Sequence, residues 1–168
     1  MNKTAFRRIR LTIWICALVF LADRVTKVLA KSLEKPIELI PGVIGLRYTE
    51  NTGIAFGLFS GVSILVGVLT ILFLTAVLFS ICRLRLTTPT WVCVMMILGG
   101  ALGNALDRIF LGCVPDMVEI LLFQWGIFNV ADAAVVIGIC LLLIRIMTHP
   151  EEWKEDHGQS GEDDQNKR

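Results

Sequence analysis

The stretch Trp91–Arg108, WVCVMMILGGALGNALDR, decides how the chain is read. An unbroken apolar run leads into Gly99-Gly100-Ala101-Leu102-Gly103, whose small residues let neighbouring helices approach closely. It ends in Asn104, Asp107 and Arg108, spaced i, i+3 and i+4 and therefore on one helix face. Ionisable groups at membrane depth cost at least a few kcal/mol each, so they turn toward a bundle interior and mark a site or a pathway. The stretch predicts a membrane-spanning helix that delivers a polar cluster to one edge of the bilayer.

Working outward, three more segments are apolar over about the 20 residues that a helix needs to cross a ~30 Å hydrocarbon core. They are Leu11–Leu29, Ser63–Cys82 and Val130–Met147, and with Trp91–Leu106 they predict an all-α protein of four transmembrane helices. The chain is 55% hydrophobic and 18% charged with a mean hydropathy of +0.69, too apolar for a soluble domain of 168 residues. Four spans put both termini on one side. Ten of the sixteen Lys and Arg residues fall on that side, led by Lys3, Arg7, Arg8 and Arg10 beside the first span, which makes the termini cytoplasmic. A net charge of +1 supplies no basic field for nucleic acid. The first span could be read as a cleavable signal peptide, but no A-x-A site follows it, and cleavage would discard the group Asp23-x-x-Thr26-Lys27.

Between the first two spans, residues 36–59 are punctuated by Pro36, Pro41, Gly42, Gly45, Gly53 and Gly57 around β-favouring runs, and predict a small extracytoplasmic β element. Cys113–Phe128 is too short to span and is expected as a connecting piece at the membrane surface. Residues 1–148 are read as one membrane domain and 149–168 as a polar, disordered cytoplasmic tail. Cys16, Cys82, Cys93, Cys113 and Cys140 are odd in number and sit in or beside apolar runs, which suits packing residues. His149 and His157 lie past the last span, so no HExxH or Cys/His cluster offers a catalytic zinc site, and neither a metal nor a cofactor is expected.

Four polar groups map to the same outer boundary. Asp23, Thr26 and Lys27 share a face at the outer end of the first helix, where Asp23 and Lys27 form either an interfacial ion pair or part of a site. Asp107 and Arg108 form either a self-neutralising cap or part of the same site. Asn129 and Asp132 open the fourth helix, where a carboxylate gains from the N-terminal dipole. Asp116, in Val114-Pro115-Asp116-Met117, reads equally as a turn residue or a catalyst. Two carboxylates held together in a partly desolvated place share one proton, one serving as base and the other as acid. That is aspartic-protease chemistry. A Ser/His/Asp triad lacks a histidine at membrane level, and Lys27 or Lys31 with Ser60 shows no recognisable dyad motif. The alternative from another class is a four-span proton-coupled transporter or channel subunit that uses the acids as a relay, although the chain shows neither mid-span acids nor an internal repeat.

Taken together, Asp23-Arg24-Val25-Thr26-Lys27, Asn51-Thr52-Gly53-Ile54-Ala55-Phe56-Gly57, Gly99-Gly100-Ala101-Leu102-Gly103-Asn104-Ala105-Leu106-Asp107-Arg108 and Phe128-Asn129-Val130-Ala131-Asp132 resemble, in that order, the motifs of the lipoprotein signal peptidase (signal peptidase II) family. The resemblance runs from Asp23 to about Ile137. It implies a membrane aspartic endopeptidase with Asp116 and Asp132 as the catalytic pair. Asp23, Lys27, Asn51, Gly53, Asn104, Asp107, Arg108 and Asn129 would be its supporting or substrate-contacting residues. It further implies a four-helix fold with a β cradle, cleavage of a prolipoprotein just before a diacylglyceryl-modified cysteine, sensitivity to globomycin, and a monomer in the bacterial inner membrane. The chain departs from the family pattern at Pro115, where a valine is usual, and at Ile54, where a smaller residue is common. A proline before Asp116 removes a backbone donor and fixes φ.

Overall fold

The computed structural model describes residues 3–53, 61–84, 86–122 and 126–153. In chain order these form α1 (Lys3–Lys31), β1 (Ile37–Ile40), β2 (Ile44–Asn51), α2 (Ser63–Ile81), α3 (Thr88–Phe110), β3 (Val114–Ile120), α4 (Val130–Thr148) and a 3-10 turn, Pro150–Trp153. The protein is mostly helical with one small sheet. Among the described residues three helices, α2, α3 and α4, are long and apolar enough to cross a membrane, with mean hydropathies of 2.8, 1.5 and 2.4.

The small residues quoted above make α3 the hub, packed against α1, α2 and α4. A Cβ on Gly99 would meet the Cys16 carbonyl oxygen of α1 at 2.6 Å, and one on Gly100 would meet the Ala131 carbonyl oxygen of α4 at 2.4 Å. Glycine therefore permits two backbone-to-backbone approaches on adjacent residues. Just over half (56%) of α3's most apolar stretch is consequently buried, against 6% of α2's. The outward faces of the other helices carry exposed Leu18, Leu72, Phe73, Val136 and Ile144. Such continuous apolar exposure requires an apolar surrounding.

At the end of the bundle opposite the chain termini sits an antiparallel sheet of order β1-β2-β3. Its first turn, Ile40-Pro41-Gly42-Val43, is closed by Val43 N donating to Ile40 O at 2.9 Å, and Gly42 takes φ +69° where a Cβ would be strained. The expected β element at 36–59 is thus present as β1 and β2, and residues 54–60 lie outside the described residues. The segment Cys113–Phe128 departs from the sequence expectation. Instead of only lying at the membrane surface, it supplies β3, which pairs with β2 in a register that opposes Thr49 to Asp116 and Asn51 to Val114. This is a pairing between distant parts of the chain, and alternation within β3 does not announce it. Pro115 is accommodated because β3 is an edge strand, where the missing N–H is tolerated.

The polar segment expected from residue 149 also begins in order. Glu152, only 4% exposed, ion-pairs with Arg145, accepts from Thr87 N at 2.9 Å and takes the Thr90 hydroxyl at 2.6 Å. Thr87 is the N-cap of α3 and makes no side-chain capping bond of its own. The turn after α4 therefore closes the start of α3, and the remaining tail, 154–168, lies outside the described residues. Of the cysteines, Cys82, Cys93 and Cys113 are buried and Cys16 half-buried, whereas Cys140 faces outward.

Candidate active site

Where α1, α3, α4 and the sheet meet, polar side chains form one connected network. Asp23 lies on α1 and is fully buried. Its Oδ1 accepts from the Ala131 backbone N–H at 3.1 Å, so it caps one of the orphan donors in the first turn of α4. Its Oδ2 accepts from Lys27 Nζ and from Arg24, both at 2.7 Å. Gly103 leaves space for this carboxylate, since a Cβ there would stand 3.0 Å from Asp23 Oδ2.

Lys27 is 4% exposed, and its three N–H donors are fully used on Asp23, on Asp107 Oδ2 at 2.7 Å and on Asn104 Oδ1 at 2.9 Å. The last bond fixes the Asn104 amide, because the flipped amide would point its own donors at an ammonium. Asn104 Nδ2 is thereby committed to Asp132 Oδ1, at 2.7 Å. Asn129 is fixed in the same way. Its Oδ1 accepts from Asp132 N at 2.9 Å while Asp132 Oδ2 accepts from Asn129 N at 3.2 Å, a reciprocal capping box at the start of α4. Asn129 Nδ2 is left to donate to Asp116 Oδ1 at 2.6 Å and to Asn104 Oδ1 at 3.2 Å.

The sheet register completes the arrangement. Asn51 and Asp116 are diagonal neighbours on one face of the β2–β3 pair. Asn51 Nδ2 donates to Asp116 Oδ2 at 3.1 Å, and Gly53 N holds Asn51 Oδ1 at 3.0 Å. Burial pushes the Asp116 carboxyl up to about 6, with the Asp132 charge adding to that rise and the Asn51 and Asn129 amides opposing it. Asp116 is 2% exposed, whereas Asp132 is half-buried.

The ten expected catalytic and supporting residues are thus in one neighbourhood, but two relationships differ from expectation. Asp107 is not neutralised by Arg108. It is paired with Lys27 and, through both carboxylate oxygens, with Arg24. Arg108 donates to Asn104 O at 3.3 Å and keeps a buried Nε with no partner among the described residues. Arg24 went unrecognised. Two buried acids, Asp23 and Asp107, beside a single lysine were the available signal that a second cation had to be near. The motif Ile54-Ala55-Phe56-Gly57 lies outside the described residues.

The four aspartates fall into two chemical classes. Asp23 and Asp107 contact cations directly, whereas among the described residues the hydrogen bonds to Asp116 and Asp132 come from amides. A pair held by neutral donors can share a proton and exchange it with a substrate.

Residues 15–148 match the family described as signal peptidase (SPase) II. A lipoprotein signal peptidase of Chlorobium phaeobacteroides (strain BS1) is 38% identical over 147 residues, covering 78% of this chain and 92% of that protein. One from Streptococcus thermophilus (strain CNRZ 1066) is 36% identical over 129 residues, covering 76% and 80%. Among solved structures, a bacterial membrane enzyme determined by the in meso method at 2.3 Å superposes with a TM-score of 0.78 at 26% identity, covering 92% of this chain and 95% of that one.

Proposed function

The chain belongs to the signal peptidase II family, and from that premise we propose that Asp116 and Asp132 are the catalytic dyad with which it removes the signal peptides of prolipoproteins. The observation that carries the assignment is the contrast just described: these two acids are served by amides, while the other two are spent on cations. Family membership also removes support from the transporter reading.

Asp132 is the base. It lies in the first turn of α4, where the helix dipole and the Asn129 N–H favour the carboxylate. Asp116, deeply buried, is the acid. Asp132 takes a proton from water as the water oxygen attacks the scissile carbonyl carbon, and the Asp116 proton hydrogen-bonds the developing oxyanion. Collapse breaks the C–N bond, and the leaving amine takes a proton from the dyad. The products are a signal peptide ending in a carboxylate and a chain beginning with a free amine.

The finer reading follows the family resemblance. Cleavage falls before a diacylglyceryl-modified cysteine, and Asn51, Gly53 and Arg108 contact the substrate, the last with its unspent donors. Four helices cross the inner membrane with both termini cytoplasmic and the dyad at the outer end. In support, α1 turns Asp23 and Lys27 inward while Leu18, Leu21, Val25, Val28 and Leu29 face outward, so its charges need not exclude it from lipid. A monomer then suffices, with membrane lipid around it and the lipid-anchored substrate entering sideways between helices.

The test is cleavage of a diacylglyceryl-modified prolipoprotein by detergent-solubilised protein at matched folded amounts. Asp116→Asn and Asp132→Asn should each abolish turnover, and globomycin should block the wild type. Full activity in either variant overturns the dyad.

A further inference from the structure

Building on that dyad reading, we propose that Arg24 is a positioning residue of the peptidase: it occupies Asp107 and Asp23 so that Lys27 stays directed at Asn104 and the cluster beside the dyad remains charge-balanced. Arg24 touches neither Asp116 nor Asp132 in any described bond. It acts through a chain of bonded groups that runs from Asp107 through Lys27 and Asn104 to Asp132.

Both terminal guanidinium nitrogens reach Asp107: Nη1 pairs with Oδ1 and Nη2 with Oδ2 at 2.6 Å. Nη2 also reaches Asp23 Oδ2 at 2.7 Å and the Gly103 carbonyl at 3.2 Å, and the guanidinium carbon lies 5.4 Å from the centre of the Phe20 ring. A planar fork that grips both oxygens of Asp107 while reaching Asp23 is a task for arginine and not for lysine. With Arg24 in place, two anions, Asp23 and Asp107, face two cations, Arg24 and Lys27. Lys27 then has one donor to give to Asn104 Oδ1, and that bond orients the amide toward Asp132.

Removing the guanidinium leaves both carboxylates to the one ammonium. The Lys27–Asn104 bond is a neutral contact competing with two anionic ones, so it is the bond that lengthens. The Asn104 amide is released, and the neighbourhood of the dyad gains a net negative charge. Around the dyad, α1 presents Asp23 and Lys27, and α3 presents Asp107 and Arg108. The sheet side adds Glu50, Tyr48 and Cys113. Apart from Lys27 and Arg108, none of these can offset the lost cation.

The experiment is the pH profile of kcat and kcat/KM for Arg24→Gln and Arg24→Lys on a diacylglyceryl-modified prolipoprotein, with Asp116→Asn alongside and folded amounts matched by thermal unfolding. Losing a cation disfavours the carboxylate, so the acidic limb of Arg24→Gln should move to higher pH. About one unit is the scale of one uncompensated charge at an effective dielectric of about 20. Its kcat should fall about tenfold with KM within about twofold. Arg24→Lys keeps the charge, so its limb should stay at the wild-type pH while kcat drops, and it carries the test alone if Arg24→Gln does not fold. An unshifted limb in Arg24→Gln with wild-type kcat in Arg24→Lys, or a loss wholly accounted for by unfolding, overturns the role of Arg24 while an inactive Asp116→Asn leaves the dyad standing. An active Asp116→Asn overturns both.

Discussion

Gly100→Ala adds one methyl group where α3 crosses α4, and the structure allows its effect to be worked out. The new Cβ would stand 2.4 Å from the Ala131 carbonyl oxygen and 2.9 Å from Val135 Cγ2, while ordinary contact begins at 3.4 Å. The oxygen belongs to a helix backbone and cannot rotate away, so the crossing has to open by about 1 Å. Alanine gains about 1 kcal/mol of helix propensity. Overpacking costs ~1–3 kcal/mol, which leaves a net loss of about 0–2 kcal/mol. Catalysis should suffer more than stability. The bond from Asn104 to Asp132 spans this same crossing at 2.7 Å, and a further ~1 Å takes it past hydrogen-bonding range. Misplacement of a reacting group by about 1 Å costs on the order of 100-fold in rate. Prolipoprotein cleavage and thermal unfolding should be measured together on purified protein, with Leu72→Ala on the exposed face of α2 as a control expected to leave both near wild type. A Gly100→Ala protein with wild-type kcat/KM would refute the reasoning, because the close approach would then not be what holds Asn104 on Asp132.

Three further outcomes follow from the same bonds. Glu152→Ala leaves Arg145 without its ion-pair partner and opens the cap of α3, so stability should drop by about 2–3 kcal/mol in thermal unfolding while turnover well below the transition is retained. Lys27→Met strands Asp23 and Asp107 with Arg24 alone and should cost about 3–5 kcal/mol together with nearly all activity, measured by the same pair of assays. Asp116 titrates near 3.8 when unfolded and about 6 when folded, so the folded state binds its proton more tightly. Stability should therefore fall as pH rises through that window, and Asp116→Asn should lack that component of the slope in unfolding followed against pH.

How far the sequence could be read depended on whether the determining interactions were local. The helices were legible because an apolar run of span length states its own structure, and β1 and β2 because Pro41-Gly42 announces a turn. β3 was not, because Val114–Ile120 is defined by its pairing with Ile44–Asn51, and its proline and two acids disguise it. Within the site, residues whose bonds stay on one helix, such as Asp23 with Lys27, could be paired from their i, i+4 spacing. Asp107 could not: spacing suggested Arg108, whereas its partners come from α1. Glu152 was hidden for a related reason. Composition described its neighbours as a solvated tail, and only the packing of Pro150–Trp153 on α3 and α4 turns it into a buried cap.

The separation of the aspartates into two classes has a physical reason that ties fold to function. A dyad that must share a proton needs neighbours that hold it without charge, yet helices carrying acids into a membrane protein need cations to offset them. The chain meets both requirements by distance along the network. Lys27 and Arg24 neutralise Asp23 and Asp107, and Lys27 reaches Asp132 through the Asn104 amide. Asn129 then links the two halves, bonding Asp116 through its side chain and Asp132 through its backbone. The cations thus hold α1, α3 and α4 in register, and the asparagines transmit that register to the proposed dyad as oriented dipoles. Exchanging Asn104 for aspartate would place a charge where the arrangement calls for a dipole, and exchanging it for leucine would leave both Lys27 and Asp132 short of a partner. An amide is the side chain that accepts from one neighbour and donates to the other while remaining uncharged.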